Sequence, residues 1–265
     1  MAHDIDALAA LACRLADAAR AETLARFRRL DRAAEDKSGG RDYDPVTEAD
    51  RAAEAAIRAL LAAERPDDAI LGEEEADRAG RSRLTWVIDP VDGTRAYLAG
   101  LPTWGTLIAC DDGTRGIVGL VDHPATDERF LGTADGTARA SWRGEWRDVA
   151  VRRTARLDEA ILMTTDPALF GPDERAGFEA VRARTRLTRL GTDCYAYAML
   201  AAGHVDLVIE AGLMAYDIAA PKALVEAAGG VVTDWRGGDC RWGGRVLAAA
   251  TPDLAAAARD LLADG

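Results

Sequence analysis

The sequence predicts a protein that contains both helices and strands. Its first half is predicted to be α+β, and its second half is closer to α/β. Three patterns predict this: two amphipathic helical stretches near the N-terminus, a central run of short apolar segments punctuated by turns, and strands that alternate with helices after residue 150. At 265 residues the chain can bury a substantial core. We expect an N-terminal lobe over residues 1–150 and a C-terminal lobe over residues 151–265.

Two helices are predicted before the first main strand. The stretch "IDALAALACRLADAARAETLARFRRL" places apolar residues three and four apart between good helix formers. After a break rich in Gly and Asp, Thr47 can cap a second helix that runs to Pro66. The expected buried stripe of the first helix is Ile5, Leu8, Leu11, Leu15, Ala19 and Leu24.

The rest of the first half is predicted to be a sheet. The stretches "AILGEEE" and "LTWVID" indicate strands. The stretch "WGTLIACDDGTRGIVGLVDHPATDERFLGTADGTARA" has apolar runs divided by Asp-Gly and His-Pro turns, which is typical of an antiparallel meander.

In the second half, strands and helices alternate. Strands are indicated by "ARLDEAILMTTD", "RLTRLG", "DLVIEAG" and "VVTDW". Helices are indicated by "PDERAGFEAVRART", "TDCYAYAMLAAGHV", "AYDIAAPKALVEAAGG" and the tail "PDLAAAARDLLADG".

Composition argues against several classes of protein. Acidic residues outnumber Lys and Arg by 45 to 33, for a formal charge of −12, and no basic face is apparent, so we expect no nucleic-acid partner. Four scattered cysteines without a CxxC pair argue against a zinc site or a disulfide framework and indicate a cytoplasmic location. The sequence has no signal-peptide pattern and no span of about 20 apolar residues, so we expect no membrane association.

Two aspartates in "WVIDPVDGT" suggest a metal site. The strand is predicted to end at Asp89, and a turn at Pro90 would bring Asp92 to the same side. A plain turn whose side chains cap their own backbone is the structural alternative. Crowded carboxylates repel each other, however, and hard oxygen ligands favour Mg²⁺ over zinc. Gly93 and Thr94 follow directly, and they offer backbone N–H groups and a hydroxyl to a phosphate.

Other acidic segments each have a structural alternative. The Glu triplet in "LGEEE" follows an apolar strand, although such runs are usually solvated. In "DPVTEAD" the pair Thr47 and Asp50 also fits a helix capping box. Asp217, in "MAYDIAAPKALVEAAGG", lies where a carboxylate commonly interacts with the helix dipole. The three scattered histidines are assigned no role.

Together, the segments "DPVTEAD", "LGEEE", "WVIDPVDGT" and "YDIAAPKALVEAAGG" closely resemble the signature set of the inositol monophosphatase superfamily. Members of that superfamily are Mg²⁺-dependent, Li⁺-sensitive phosphomonoesterases. The resemblance runs from about Lys37 to Asp234. It implies a layered αβαβα sandwich, a homodimer, a small phosphate ester as substrate, and two or three Mg²⁺ ions at the junction of the two lobes.

The resemblance also implies a set of metal ligands. Glu73, Asp89 and the carbonyl oxygen of Val91 would hold the first Mg²⁺. The second would be held by Asp89, Asp92 and Asp217. Glu73 would also face a third, loosely held ion, which places it among the expected catalytic residues.

Further roles follow from the same resemblance. Gly93 and Thr94 would contact the substrate phosphate, and Thr94 with Asp50 would orient the attacking water. Lys37 resembles the active-site lysine of the family, and Glu74 is an additional candidate. Cations in this acidic pocket explain how it can accept a phosphate anion, because the carboxylates alone would repel it.

The substrate is suggested by "RLGTDCYAYAMLAAGHVDLVIEAGLMAYDIAA", which is most similar to the bacterial histidinol-phosphate phosphatase branch. Tyr216 stands where the inositol enzymes favour tryptophan. Asp193 and Glu210 are acids suited to the amine and imidazole of L-histidinol phosphate. Glu210 suits polyol hydroxyls equally well, and Asp193 also fits a helix N-cap.

Three alternatives stay open at this stage. The first is an inositol or sugar monophosphatase. The second is a haloacid-dehalogenase-type phosphatase, which the three-residue spacing of Asp89 and Asp92 disfavours. The third is a catalytically silent binding module of the same fold, which the intact set of acids disfavours.

Overall fold

The computed structural model describes residues 3–29, 34–36 and 45–263. Within these ranges no helix is both long and apolar enough to cross a membrane. The described chain contains these α-helices, together with 3₁₀ turns at Leu157–Glu159 and Pro167–Leu169: α1 (Ile5–Arg26), α2 (Glu48–Glu64), α3 (Thr94–Ala99), α4 (Pro172–Arg182), α5 (Tyr195–Ala201), α6 (Ala215–Ala227) and α7 (Pro252–Ala263).

The strands form two large sheets and one small one. The small sheet pairs β1 (Ala34–Asp36) with β2 (Pro45–Thr47). The seven-stranded sheet has its strands in chain order, β3 (Ala69–Gly72), β4 (Thr85–Asp92), β5 (Gly105–Asp111), β6 (Gly116–His123), β7 (Glu128–Thr133), β8 (Ala138–Trp142) and β9 (Glu145–Asp148). The five-stranded sheet has the spatial order β11 (Leu187–Leu190), β10 (Ile161–Thr164), β12 (Leu207–Met214), β14 (Gly243–Ala249) and β13 (Val231–Thr233).

The pairing of these strands matches the predicted arrangement of the two halves. Strands β4 to β9 are joined by antiparallel pairing, so the predicted meander is present. In the second sheet β10 pairs in parallel with both β11 and β12, while β14 is antiparallel to its neighbours. The second half therefore contains a mixed sheet with helices between its strands.

Three hydrophobic clusters show how the layers stack. In the first, α1 and α2 cover one face of the seven-stranded sheet, where Trp86 and Ile88 are fully buried. In the second, α5 and α6 lie between the two sheets and contact the opposite face of β4 at Val87. In the third, α4 and α7 cover the outer face of the five-stranded sheet. The result is the predicted αβαβα sandwich, whereas the division into lobes at residue 150 stays a prediction.

The buried stripe of α1 differs from the prediction mainly at its C-terminal end, while Ile5 at its start is partly buried. Leu8, Leu11 and Leu15 are buried as expected, but Leu24 is 41% exposed. Leu24 lies five residues after Ala19, which rotates it about 140° away from the stripe on an α-helix. Thr23 is buried in its place and donates its hydroxyl to the Ala19 carbonyl oxygen (3.0 Å).

Helix α6 packs unusually close to the seven-stranded sheet. A Cβ atom at Gly119 would lie 2.3 Å from the Ala220 carbonyl oxygen, and one at Gly132 would lie 2.5 Å from the Leu224 Cα. Glycine at these positions lets the helix backbone rest directly on β6 and β7. Because Asp217 is in the first turn of α6, this contact also sets its position relative to β4.

Replacing Gly119 with Ala should therefore destabilise the protein. The added methyl meets backbone that can move only with all of α6, so we expect the free energy of unfolding to fall by about 2 kcal/mol or more. Urea denaturation measures the change. Gly171→Ala is the matched control, because its Cβ would lie 3.4 Å from a flexible glutamate oxygen, and it should cost no more than about 1 kcal/mol. Equal losses in the two variants would contradict the close-packing argument.

Candidate active site

A β-bulge in β4 brings the two aspartates of "WVIDPVDGT" together. Asp89 pairs with Leu107 and Asp92 pairs with Gly105, so three steps on β4 oppose two on β5. In a regular strand, residues three apart face opposite sides of the sheet. The extra residue returns Asp92 to the side of Asp89, between the two sheets. The predicted turn at Pro90 was wrong, because the strand continues to Asp92.

Asp217 joins these two aspartates from the N-terminus of α6. The carboxylates of Asp89, Asp92 and Asp217 each offer an oxygen, and these oxygens lie within 4.8 Å of one another. Asp89 is buried and the other two are half-buried. The three residues come from the two halves of the chain, so the cluster exists only when both halves are folded together.

Backbone N–H groups hold one oxygen of each carboxylate in this cluster. Such charge-assisted hydrogen bonds orient the side chains before any ion or substrate arrives. The donors belong to three separate segments, namely Val91 for Asp89 Oδ1 (3.0 Å), Cys194 for Asp92 Oδ2 (2.7 Å) and Met214 for Asp217 Oδ2 (2.6 Å).

The electrostatics of the cluster favour a bound cation. Burial raises the pKa of Asp89 well above its usual range, and the negative charges of Glu73, Asp92 and Asp217 raise it further. Burial likewise raises the pKa of Asp92, assisted by Asp193 and Asp217, although the Cys194 N–H group opposes the shift. A divalent cation relieves this repulsion. All the donors are oxygen atoms, so the residues fit a hard ion such as Mg²⁺ better than zinc.

Glu73 approaches the cluster from the neighbouring strand. It follows β3, which runs parallel to β4 and pairs Gly72 with Ile88, so Glu73 stands beside Asp89. Glu73 lies outside the tightest group of three carboxylates, but its charge and a hydrogen bond contribute to the raised pKa of Asp89. The next residue, Glu74, donates its backbone N–H to Glu54 Oε2 (2.8 Å).

Asp50 lies next to both of its predicted partners, Thr47 in the capping box and Thr94 beside the proposed attacking water. Its Oδ2 accepts the backbone N–H of Thr47 (2.9 Å) in a capping box at the start of α2. Its Oδ1 lies 3.5 Å from the Thr94 hydroxyl. That hydroxyl also lies 3.1 Å from the Val91 carbonyl oxygen, and it can donate its single proton to only one of the two acceptors at a time.

Gly93 and Asp193 lie against each other at the rim of the cluster. Gly93 precedes α3 with φ of 80°, and a Cβ there would lie 2.9 Å from the Asp193 Cγ. Asp193 Oδ2 accepts a hydrogen bond from the Thr103 hydroxyl (3.4 Å). Burial raises the pKa of Asp193 to about 6, although Thr103 and Arg95 oppose the shift. The N-cap alternative for Asp193 was wrong, because α5 begins two residues later, at Tyr195, without a side-chain cap.

Glu210 is buried in β12 and bonded to the end of β10. Its Oε1 accepts the backbone N–H of Thr165 (2.7 Å) and the Thr165 hydroxyl (3.0 Å), and its Oε2 accepts the Thr164 hydroxyl (3.2 Å). Burial raises the pKa of Glu210 to about 7, even though these donors favour the charged form. Its carboxylate is therefore largely engaged within the protein.

Two contributors to the site were not indicated by sequence patterns. These are the backbone N–H of Cys194 and the buried carboxylate of Glu54, which holds the segment after Glu73. Glu54 lies four residues after Asp50 in α2, and that helical spacing was the available signal. Lys37 lies outside the described residues. The four cysteines are free thiols, in agreement with the prediction of no disulfide framework.

The raised pKa of Glu210 predicts a pH-dependent stability. Its folded-state pKa of about 7 exceeds its ordinary value of 4.5, so the folded state binds more protons between these two pH values. Glu210 should therefore reduce the free energy of unfolding as pH rises through this window, by on the order of 3 kcal/mol in total. The Glu210→Gln variant keeps an acceptor for Thr165 but has no charge to bury. Its free energy of unfolding, measured relative to that of the wild type, should therefore be higher at pH 8 than at pH 5.

Urea denaturation at the two pH values, with EDTA present, tests this expectation. Glu145→Gln on the exposed strand β9 is the matched control, and its effect should not change across the same window. A Glu210→Gln effect that is identical at pH 5 and pH 8 would contradict the burial argument.

Comparisons with known proteins agree with this fold. Residues 4–263 match the model of the inositol monophosphatase family. A bifunctional phosphatase, IMPL2, from Arabidopsis thaliana is 39% identical over 97% of this chain and 72% of its own length. A histidinol-phosphatase from Streptomyces coelicolor is 37% identical over 83% of each chain. The structure of an inositol monophosphatase from Zymomonas mobilis superposes with a TM-score of 0.84 at 39% identity, covering 99% of this chain and 100% of that one. The chain therefore belongs to the inositol monophosphatase family of phosphoric monoester hydrolases.

Proposed function

We propose that this chain is a Mg²⁺-dependent phosphatase that hydrolyses L-histidinol phosphate to L-histidinol and phosphate. The observation that carries the phosphatase chemistry is the convergence of Asp89, Asp92 and Asp217 between the two sheets. The observation that favours this substrate is the acid Asp193, which lies directly against the phosphate-contacting candidate Gly93. The proposed homodimer, cytoplasmic location and Li⁺ sensitivity stay predictions.

The oxygen donors divide into two proposed metal sites. Glu73, Asp89 and the Val91 carbonyl would hold one Mg²⁺, and Asp89, Asp92 and Asp217 the second. Glu73 would also face a third, loosely held ion. Bound Mg²⁺ supplies positive charge to the phosphoryl oxygens and lowers the pKa of a nearby water.

The chain's own residues would orient the phosphate and the attacking water. Backbone N–H groups of Gly93 and Thr94 would bind phosphoryl oxygens at the start of α3. The Thr94 hydroxyl would accept a hydrogen bond from the attacking water while donating its own proton to Asp50 Oδ1, 3.5 Å away. The water oxygen would form a bond to phosphorus as the bond from phosphorus to the ester oxygen breaks. The proton of the water would pass through the Thr94 hydroxyl to Asp50, and the ester oxygen would leave as the alcohol after taking up a proton from solvent water, to which Asp50 later returns its own.

The cationic amine of histidinol suits the environment of Asp193. This carboxyl is half-buried, has a pKa raised by burial to about 6, and accepts a long hydrogen bond from the Thr103 hydroxyl. A substrate ammonium group would favour its charged form and would make a charge-assisted hydrogen bond with it. The similarity to the Streptomyces coelicolor histidinol-phosphatase supports this choice. The similarity to the Zymomonas mobilis inositol monophosphatase supports a polyol phosphate as the alternative substrate.

A substrate panel tests the proposal. With Mg²⁺ present, kcat/KM for L-histidinol phosphate should exceed that for inositol 1-phosphate, fructose 1,6-bisphosphate and adenosine 3',5'-bisphosphate by tenfold or more, about 1.4 kcal/mol of transition-state preference. Asp193→Asn should lower kcat/KM for histidinol phosphate by about tenfold, because a charge-assisted bond becomes a neutral one. The same variant should leave the rate on inositol 1-phosphate nearly unchanged. A wild-type preference for inositol 1-phosphate would support the polyol alternative instead.

Asp89→Asn tests the metal assignment and separates an enzyme from a silent module. The amide keeps an acceptor for the Val91 N–H but removes a negative charge that both proposed ions would share. We expect phosphate release to fall by at least a hundredfold. In EDTA the variant should unfold at a temperature equal to or above that of the wild type, because one repelling charge is gone. Adding Mg²⁺ should raise the melting temperature of the wild type only. Unchanged turnover in the variant would refute the metal assignment. If the wild type released phosphate from none of the esters, the catalytically silent binding module would become the better interpretation.

A further inference from the structure

We propose that Glu54 and Arg58, on the buried side of α2, form a clamp that positions Glu73 and thereby sets the affinity for the ion shared by Glu73 and Asp89. This inference rests on the proposed Mg²⁺ site. Neither Glu54 nor Arg58 is a proposed ligand, so both are positioning residues. Their role is to fix the segment in which Glu73 lies.

The clamp forms hydrogen bonds with the backbone immediately after Glu73. Glu54 is fully buried, and its Oε2 accepts the Glu74 N–H (2.8 Å) while its Oε1 accepts the Glu75 N–H (3.2 Å). Arg58 completes the clamp through its Nε, which donates to Glu54 Oε1 (2.7 Å), and its Nη2, which donates to the Glu75 carbonyl oxygen (3.0 Å). Two N–H groups and one carbonyl of the segment are thus bonded to a single pair of side chains.

The residue before Glu73 is equally constrained. A Cβ atom at Gly72 would lie 2.2 Å from Glu54 Oε1 and 2.7 Å from Arg58 Nη2. Glycine therefore allows the ion pair to lie directly against the backbone. Because Gly72 is also paired with Ile88 of β4, the chain is fixed on both sides of Glu73.

The clamp matters because Glu73 must stay beside Asp89 when both are ionised and share the ion. Two ionised carboxylates repel each other, so a loop without the clamp would then move Glu73 away from Asp89 toward water. Arg58 balances the charge of Glu54, so the clamp adds no net charge beside the metal site. Outer residues that orient metal ligands commonly change metal affinity by 10- to 100-fold when they are replaced.

The clamp also connects the two sides of the proposed site. Asp50, Glu54 and Arg58 are spaced four residues apart along α2, and Asp50 lies beside Thr94. One helix therefore orients both the proposed water-orienting carboxylate and the metal-ligand loop. A shift in this helix would affect the two together.

Glu54→Gln is the first test, because it keeps the size of the side chain and removes the charge that pairs with Arg58. We expect the Mg²⁺ concentration for half-maximal phosphate release to rise by 10- to 100-fold. The kcat at saturating Mg²⁺ and the KM for L-histidinol phosphate should change little. Calorimetric titration of metal-free protein with Mg²⁺, without substrate, should show the same loss of affinity.

Asp206→Asn is the matched control for loss of a buried ion pair. Asp206 is also fully buried, and it bonds to Arg152 Nη1 (3.2 Å) and to the Ile161 N–H (2.8 Å) beside the five-stranded sheet. The Asp206→Asn substitution should lower the melting temperature while leaving the Mg²⁺ affinity unchanged. An equal loss of Mg²⁺ affinity in both variants would overturn the clamp, because general destabilisation would then explain it.

Two further results separate this inference from the proposed function. Unchanged Mg²⁺ affinity in Glu54→Gln, with the wild type binding Mg²⁺ normally, would overturn the clamp and leave the metal site intact. A wild type that binds no Mg²⁺ would overturn both proposals. If Glu54→Gln does not fold, Arg58→Lys carries the same test, because lysine keeps the charge but cannot bond to Glu54 and the Glu75 carbonyl in the same geometry. An unchanged Mg²⁺ affinity there would equally overturn the clamp.

Discussion

Repulsion among carboxylates is the constraint on which the rest of this structure depends. Asp89, Asp92 and Asp217 bring oxygens within 4.8 Å of one another at a partly buried point, and Glu73 adds a fourth negative side chain nearby. Such an arrangement is unfavourable unless the groups are protonated or share a cation. The fold opposes the repulsion with fixed donors, since a backbone N–H holds one oxygen of each of the three aspartates. Stability and the proposed metal binding are therefore expected to be coupled.

The same features that build the layers also place these acids. The bulge in β4 sets the side on which Asp92 lies, and the close contact of α6 with β6 and β7 sets the position of Asp217. Contacts at the N-termini of α2 and α6 serve two purposes, because Asp50 and Asp217 each accept a backbone N–H of the residue before the helix and also face the site. The structural and functional interpretations of these two residues are compatible rather than exclusive.

Local patterns predicted the helices, the capping box at the start of α2 and the antiparallel meander, because each depends on residues close together in the chain. The bulge could not be predicted, because it is defined by the register of β4 against β5, where Asp92 meets Gly105. Strand β14 was also not indicated, since "GGRVLAA" has little of the β-branched alternation that marks a strand. The donor to Asp92 comes from Cys194, about a hundred residues away, and no sequence spacing reports such a contact.

The structure distinguishes Asp193 from Glu210, which the sequence suggested equally as substrate contacts. Glu210 is 4% exposed and accepts three hydrogen bonds from Thr164 and Thr165, so binding a substrate group would require breaking internal bonds. Asp193 is half-buried, has φ of 46°, lies beside Gly93, and accepts a long hydrogen bond from the Thr103 hydroxyl. Aspartate is among the residues that tolerate this left-handed backbone conformation. Of these two acids, Asp193 therefore fits the proposed contact with a cationic substrate group better than Glu210 does.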